Sequence, residues 1–227
     1  MMNMIDETTP ISDTEMDRLG ERLTEDCGSR GMEETIREFL GEPFGRWMDS
    51  LADPPSGGDG PENARGLSRN DIRAIAVAME RAMSVRDALL VSIVVREDRS
   101  PREFLMDFMT NPMHPDNSRR LEEILKDSFQ DASTTPDTAR CDNGITMMFD
   151  IIEMVPERYQ VQPLAVISYV LWWMGDERAM LCALRALALD EDCSLAAIVC
   201  SATHRHIGPA WTSENTGNTP EGVDTDT

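Results

Sequence analysis

Pro163 is followed by eleven uncharged residues, LAVISYVLWWM, which run directly into Gly175-Asp176. Few arrangements satisfy such a stretch. Proline in the first turn costs a helix nothing, because its missing N–H has no acceptor there anyway. Glycine supplies the left-handed stop that ends a helix, and Asp176 can cap a new one. The next residues are rich in alanine and leucine, with Ala179, Ala183, Ala186 and Leu187 at helical spacing. Small side chains at those positions let two antiparallel helices approach closely. The acids Asp190 to Asp192 break the pattern, and Ser194 can open a third helix that reaches about His206. The unit reads as a helical hairpin plus one helix, as in helical-repeat proteins.

The rest of the chain has the same period. Ser68 can cap a helix bearing Ile72, Ile75, Ala76, Met79 and Met83. Residues 84–95 are apolar around most of the circumference, which suits a buried helix; a central strand is the alternative, disfavoured by the helical segments on both sides. Ser100-Pro-Arg-Glu103 has the form of a capping box and should start a helix with Phe104, Leu105, Phe108 and Met109. Two further helices are expected over about 116–131 and 137–154, the second with Ile145, Met148, Phe149 and Ile152 inward. No alternating segment is bounded by turn dipeptides. The expected fold class is all-α: an irregular helical bundle ending in a tetratricopeptide-like helical hairpin.

Charge and composition divide the chain. Of 227 residues, 42 are Asp or Glu and 21 Lys or Arg, a net charge of −21 carried mostly by the two ends. Four segments are expected: an acidic helical arm (1–52), a flexible Pro/Gly linker (53–66), a helical body (67–208) and a disordered acidic tail (209–227). The linker holds Asp53-Pro-Pro-Ser-Gly-Gly-Asp-Gly-Pro61, and the tail is nearly devoid of apolar residues beyond Trp211 and Val223. Phosphate affinity comes mainly from cations, so direct nucleic-acid binding through a general basic face is not expected. Neither is a polybasic membrane anchor. No window approaches 18 apolar residues and the amino terminus lacks the basic and apolar regions of an export signal, so a cytoplasmic location is expected. The odd, scattered set Cys27, Cys141, Cys182, Cys193 and Cys200 reads as free thiols in a reducing compartment.

Within the hairpin, Gly175-Asp176, Ala179 and Ala186-Leu187-x-Leu189-Asp190 resemble a tetratricopeptide repeat. The spacing from the turn to Ala179 is one residue short, Glu191 stands where proline is usual, and no copy recurs at a 34-residue period. A wider set is similar to the actinobacterial family called domain of unknown function 4192. It comprises Val85-Arg-Asp-Ala-Leu-Leu90, Pro163-Leu-Ala, Trp172 and Trp173 before Gly175-Asp176, and Ala186-Leu187 before the acidic turn. That likeness spans about 68–208 and reaches only the family's carboxy-terminal helical half, since its amino-terminal α/β portion has no counterpart here. The use of twenty arginines against the single Lys126 fits a high-GC actinobacterial source. The resemblance implies a fold and no activity.

Candidate chemistry is sparse. Cys193, Cys200, His204 and His206 crowd into 14 residues, but only Cys200 and His204 share a helical face and there is no C-x-x-C pair; core thiols beside surface histidines are the expectation, with no metal and no cofactor. Trp172 and Trp173 could stack a planar ligand, yet adjacent helical residues point about 100° apart, so one core ring and one boundary ring are expected. Arg86-Asp87 reads as a structural ion pair. The 16 methionines read as core filler rather than an adaptable groove. No phosphate-loop, dinucleotide, nucleophile-elbow or zinc-protease motif is present.

The strongest candidate for a partner-facing element lies in the arm. After a capping box at Ser12 and Glu15 with Met16, Leu19 and Leu23, the next segment carries Phe39, Leu40, Phe44, Trp47, Met48 and Leu51. The last four follow the i, i+3, i+4, i+7 spacing by which an amphipathic helix fills a groove. These six are the candidate partner-binding residues; so much apolar surface must dock somewhere, on the protein's own body in the first place and otherwise on a second copy or another protein. The functional expectation is a non-enzymatic module that binds another protein, with a homodimer among the possible assemblies. An acidic mimic of DNA that inhibits a nucleic-acid-binding protein and an enzyme with an unrecognised site are the rival readings.

Overall fold

The computed structural model describes residues 9–52 and 66–215, and among them are eleven α-helices, one 3-10 turn and no strand. In chain order they are α1 (Asp13–Arg30), α2 (Met32–Ala52), α3 (Arg69–Arg81), α4 (Met83–Val94), α5 (Arg102–Thr110), α6 (Pro115–Gln130), α7 (Thr138–Met154), α8 (Val161–Trp173), α9 (Arg178–Leu189), α10 (Ser194–His204) and α11 (Ala210–Asn215), with the 3-10 turn at Glu157–Tyr159. The protein is all-α.

Local chemistry sets most boundaries. Ser12 and Glu15 form the reciprocal capping box of α1, and Ser68 with Asp71 forms one for α3. Asp137 accepts from the Arg140 N–H to cap α7. At the end of α8 the Asp176 N–H donates to the Leu171 carbonyl (2.9 Å) and the Gly175 N–H to that of Trp172 (3.0 Å), while Gly175 has φ +75°. This is the Schellman arrangement, and its positive φ is why glycine stands there. Asp176 then accepts from the Arg178 N–H at 2.8 Å and starts α9.

Four expectations are corrected. Ala82 is extended (φ −138°, ψ 108°), which resets the helical phase, so Met83 leaves the stripe of α3 and opens α4 as an exposed residue. Ser100 does not cap α5: Pro101 occupies the N-cap position without a side-chain bond, and the Ser100 hydroxyl is buried without a partner among the described residues. Phe149 is exposed, because α7 is already covered on the face carrying Met147, Met148, Ile151 and Ile152. The tail assigned to 209–227 begins with α11, whose Trp211 is half-buried; residues 216–227 lie outside the described residues. So does the linker, apart from Gly66.

α4 and α8, each buried around most of its circumference, form the centre, with α3 and α7 packed against them. Residues 9–52 join the same core rather than standing off as an arm. Leu40, Phe44, Trp47, Met48 and Leu51 are buried in one continuous apolar cluster with Ile75, Leu89, Ile93 and Met148. Pro43 lies inside α2, which runs through it. One polar node pins three helices within this core: the Trp47 indole N–H donates to the Ser92 hydroxyl (2.9 Å), that hydroxyl donates to the Leu89 carbonyl (2.6 Å), and the Arg140 Nε–H donates to the Ser92 carbonyl (2.7 Å). Where α7 crosses α4, a Cβ on Gly144 would lie 2.6–2.9 Å from three side-chain atoms of Ile93. Only glycine permits that approach. At the surface, Arg46 bonds Asp71 at 2.6 Å and ties α2 to the start of α3.

Candidate functional site

The six residues expected to face a partner do not form one. Five are in the core, and Phe39 is half-buried at the edge of a polar depression of about 590 Å³ between α2 and α3. That depression is occupied by a clamp. Burial pushes the Asp71 carboxyl up, but hydrogen bonds from Arg46 and Ser68 outweigh it and hold the group below the ordinary range. The partner-facing reading of α2 is therefore replaced by intramolecular docking, driven by five large side chains that bury about 1.5–3 kcal/mol each.

The other sequence candidates are spread out. Trp173 is buried while Trp172 sits at the boundary, where its indole N–H donates to the Ile207 carbonyl at 2.8 Å. Trp172 also meets Tyr169 edge-on (5.1 Å) and stacks on Phe129 (6.0 Å). Arg86 is buried and bonds both Asp87 (2.7 Å) and Gln162 (3.3 Å), which links α4 to α8. Cys193 is buried, Cys182 and Cys200 are half-buried, and His204 and His206 are exposed. Among the described residues no group of three or more His, Cys, Asp or Glu is placed to hold a metal ion. Burial pushes the Cys141 thiol up to about 12 and raises Cys182 and Cys200 as well, the direction that suppresses the nucleophilic thiolate. No described helix is long and apolar enough to cross a membrane.

Two apolar surfaces remain. The first is an open groove of about 550 Å³ between α5, α6 and α8, floored by Phe108, Leu121, Leu125, Phe129 and Tyr169 with Glu122 and Lys126 at its rim. The second lies on α9. The inner face of this helix is Ala179, Ala183 and Ala186, all buried against α8 and α10. A helix turns about 100° per residue, which puts Leu181, Leu184 and Ala188 within an arc of about 60° directly opposite. Leu181 is 66% and Leu184 54% exposed, with Leu189 beside them at 38%; on α10, Ile198 is 60% exposed. Large apolar residues standing together at helical spacing on a monomer's surface mark interaction sites far more often than isolated ones do.

Sequence reasoning missed this face, although its signal is in the chain. Only Ala179, Ala183 and Ala186 of α9 are buried, so Leu181 and Leu184 take no part in the packing of this helix. No family model matches the chain, and no curated protein or solved structure does either.

Proposed function

We propose that the protein is a non-enzymatic interaction module that binds another protein by packing one of its helices on the outer face of α9. The supporting observation is that this face, Leu181–Leu184–Ala188, is apolar and uncovered on a helix whose opposite side is already fully packed. Burying two exposed leucines would contribute about 1.5–3 kcal/mol each before ordering costs, enough to matter for a transient complex. Helix-on-helix recognition suits the geometry, because α9 presents a stripe and not a pocket. A cytoplasmic setting agrees with the free thiols.

The test compares full-length protein with Leu184→Asp in affinity capture from the source organism. The substituted residue points outward, so the circular dichroism spectrum should be unchanged. A protein captured by the native chain and lost by the variant supports the proposal. Identical capture by both refutes it.

A further inference from the structure

We infer that the helix received by α9 is basic at both its ends and carries an acidic residue near its middle; this rests on the interaction reading above. The charges around the stripe supply the argument. Between 178 and 189 the only charged residues are Arg178 and Arg185, and acids bracket the helix: Asp176 and Glu177 before it, Asp190, Glu191 and Asp192 after it. Arg178 is tied back to Asp176 at 2.6 Å, so the amino-terminal end presents Glu177, while Glu191 and Asp192 are exposed at the other end. Arg185 stands exposed at the centre, flanking Leu184 and Leu181. The surface therefore reads negative, positive, negative from the residue before α9, along its length of about 18 Å, to the turn that follows it.

A second copy of the chain fits this pattern poorly. Two parallel copies of α9 would set every like charge opposite its twin. An antiparallel pair centred near 184 gains Arg178 opposite the acids at 190–192, but it places Arg185 against Arg185 on the two-fold axis. Each body also brings a net charge of −21 to the contact. A helix with basic ends meets the opposite situation, since the field of the whole molecule draws it in and the bracketing acids set its register. Such exposed pairs add little affinity individually, so the leucines supply binding and the charges supply selection.

Two synthetic amphipathic peptides of about 18 residues, long enough to hold helical structure, test this directly. Both carry the same leucine stripe; one has lysines at the ends and glutamate in the middle, and the other has those charges exchanged. The probes are titrated against the intact chain by fluorescence anisotropy at low and physiological salt. The first peptide should bind about tenfold tighter than the second, as several rim contacts acting together would give. Its binding should disappear in Leu184→Asp and its preference should collapse in a Glu191→Lys, Asp192→Lys variant. Equal binding of both peptides, lost in Leu184→Asp, keeps the interaction reading and overturns the charge inference. Binding of the first peptide that survives Leu184→Asp is general attraction to an acidic protein and also overturns it. If neither peptide binds and the native chain sediments as a dimer that Leu184→Asp dissolves, the occupant is a second copy and the charge inference fails. If neither binds and the variant alters neither mass nor capture, the interaction reading itself falls.

Discussion

Replacing Gly144 by alanine isolates a close approach of α7 to α4 in this core. Alanine in a helix interior ordinarily gains about 0.5–1 kcal/mol over glycine, because the unfolded chain loses less freedom on folding. At Gly144 that gain is opposed. The new Cβ would stand 2.6, 2.8 and 2.9 Å from Cγ1, Cγ2 and Cδ1 of Ile93, a side chain with no exposed surface and no room to retreat. Inserting one methyl into a packed core costs about 1–3 kcal/mol, so the net change should be a destabilisation of up to about 2 kcal/mol. Gly41 is the internal control. It lies in α2 with nothing within 4 Å of a built Cβ, so Gly41→Ala should stabilise by about 0.5–1 kcal/mol. The difference between the two substitutions reports the clash, about 1–3 kcal/mol. Equilibrium urea unfolding followed by circular dichroism measures both. Ile93→Ala supplies the second check: it costs about 2–5 kcal/mol alone, but it also removes all three clashing atoms. Gly144→Ala on that background should turn stabilising, a coupling well above the roughly 0.5 kcal/mol expected of independent sites. Additive effects, or equal responses at 41 and 144, would refute the claimed contact between α4 and α7.

Other substitutions probe other parts of the chain. Gly175→Val puts a β-branched residue at φ +75° and should cost about 1–2 kcal/mol; an unchanged urea midpoint would contradict the Schellman ending of α8. The hydrogen bonds from Arg69, with those from Ser12, hold the Glu15 carboxyl at about 2 against an ordinary value of 4.5. A lowered folded-state pKa contributes stability that is complete above about pH 4.5 and is lost as pH falls towards about 2; Glu15→Gln should flatten the stability profile in that window. A thiol reagent should modify the half-buried Cys27, Cys182 and Cys200 in the native state and reach Cys141 and Cys193 only on unfolding, as mass mapping of labelled sites would show. A chain of residues 67–227 should lose cooperative unfolding, since it lacks Trp47 and its neighbours in the core; a sharp, native-like transition would show that α1 and α2 are dispensable.

What could be read in the sequence was whatever a few neighbouring residues decide among themselves. Ser12 with Glu15, Ser68, and the pair Gly175-Asp176 specify helix ends within one turn of backbone, and the structure has those ends. The alanines of α9 read as a packing face for the same reason, and Ala179, Ala183 and Ala186 are buried on a helix packed against α8 and α10. The stripe on α2 was equally visible, but its destination was not, because amphipathic spacing states that a face must be covered and not by what. Its cover comes from α3, α5 and α7, remote in sequence. Ser100 shows the converse: it has the spacing of a capping box, yet its hydroxyl makes no cap and has no partner among the described residues, since the residue is drawn wholly into the interior. The outer face of α9 fell between these cases. Leucine favours a helix whether or not it is covered, so composition alone could not separate Leu184 from the buried Ala183 beside it.

The node at Ser92 also has a meaning in time. Trp47 leaves the ribosome 45 residues ahead of the hydroxyl that receives its indole proton, and Arg140, which closes the node, emerges 48 residues after Ser92. At roughly 5–20 residues per second, each interval lasts on the order of 2–10 s. Throughout the first, the nascent chain carries Phe44, Trp47, Met48 and Leu51 with only α1 and the emerging α3 to receive them, while α5 and α7 are still to be made. A growing polypeptide in that condition is a client for whatever binds exposed apolar helices at the tunnel exit, and the vulnerable period ends only when α7 has followed α4 into the open.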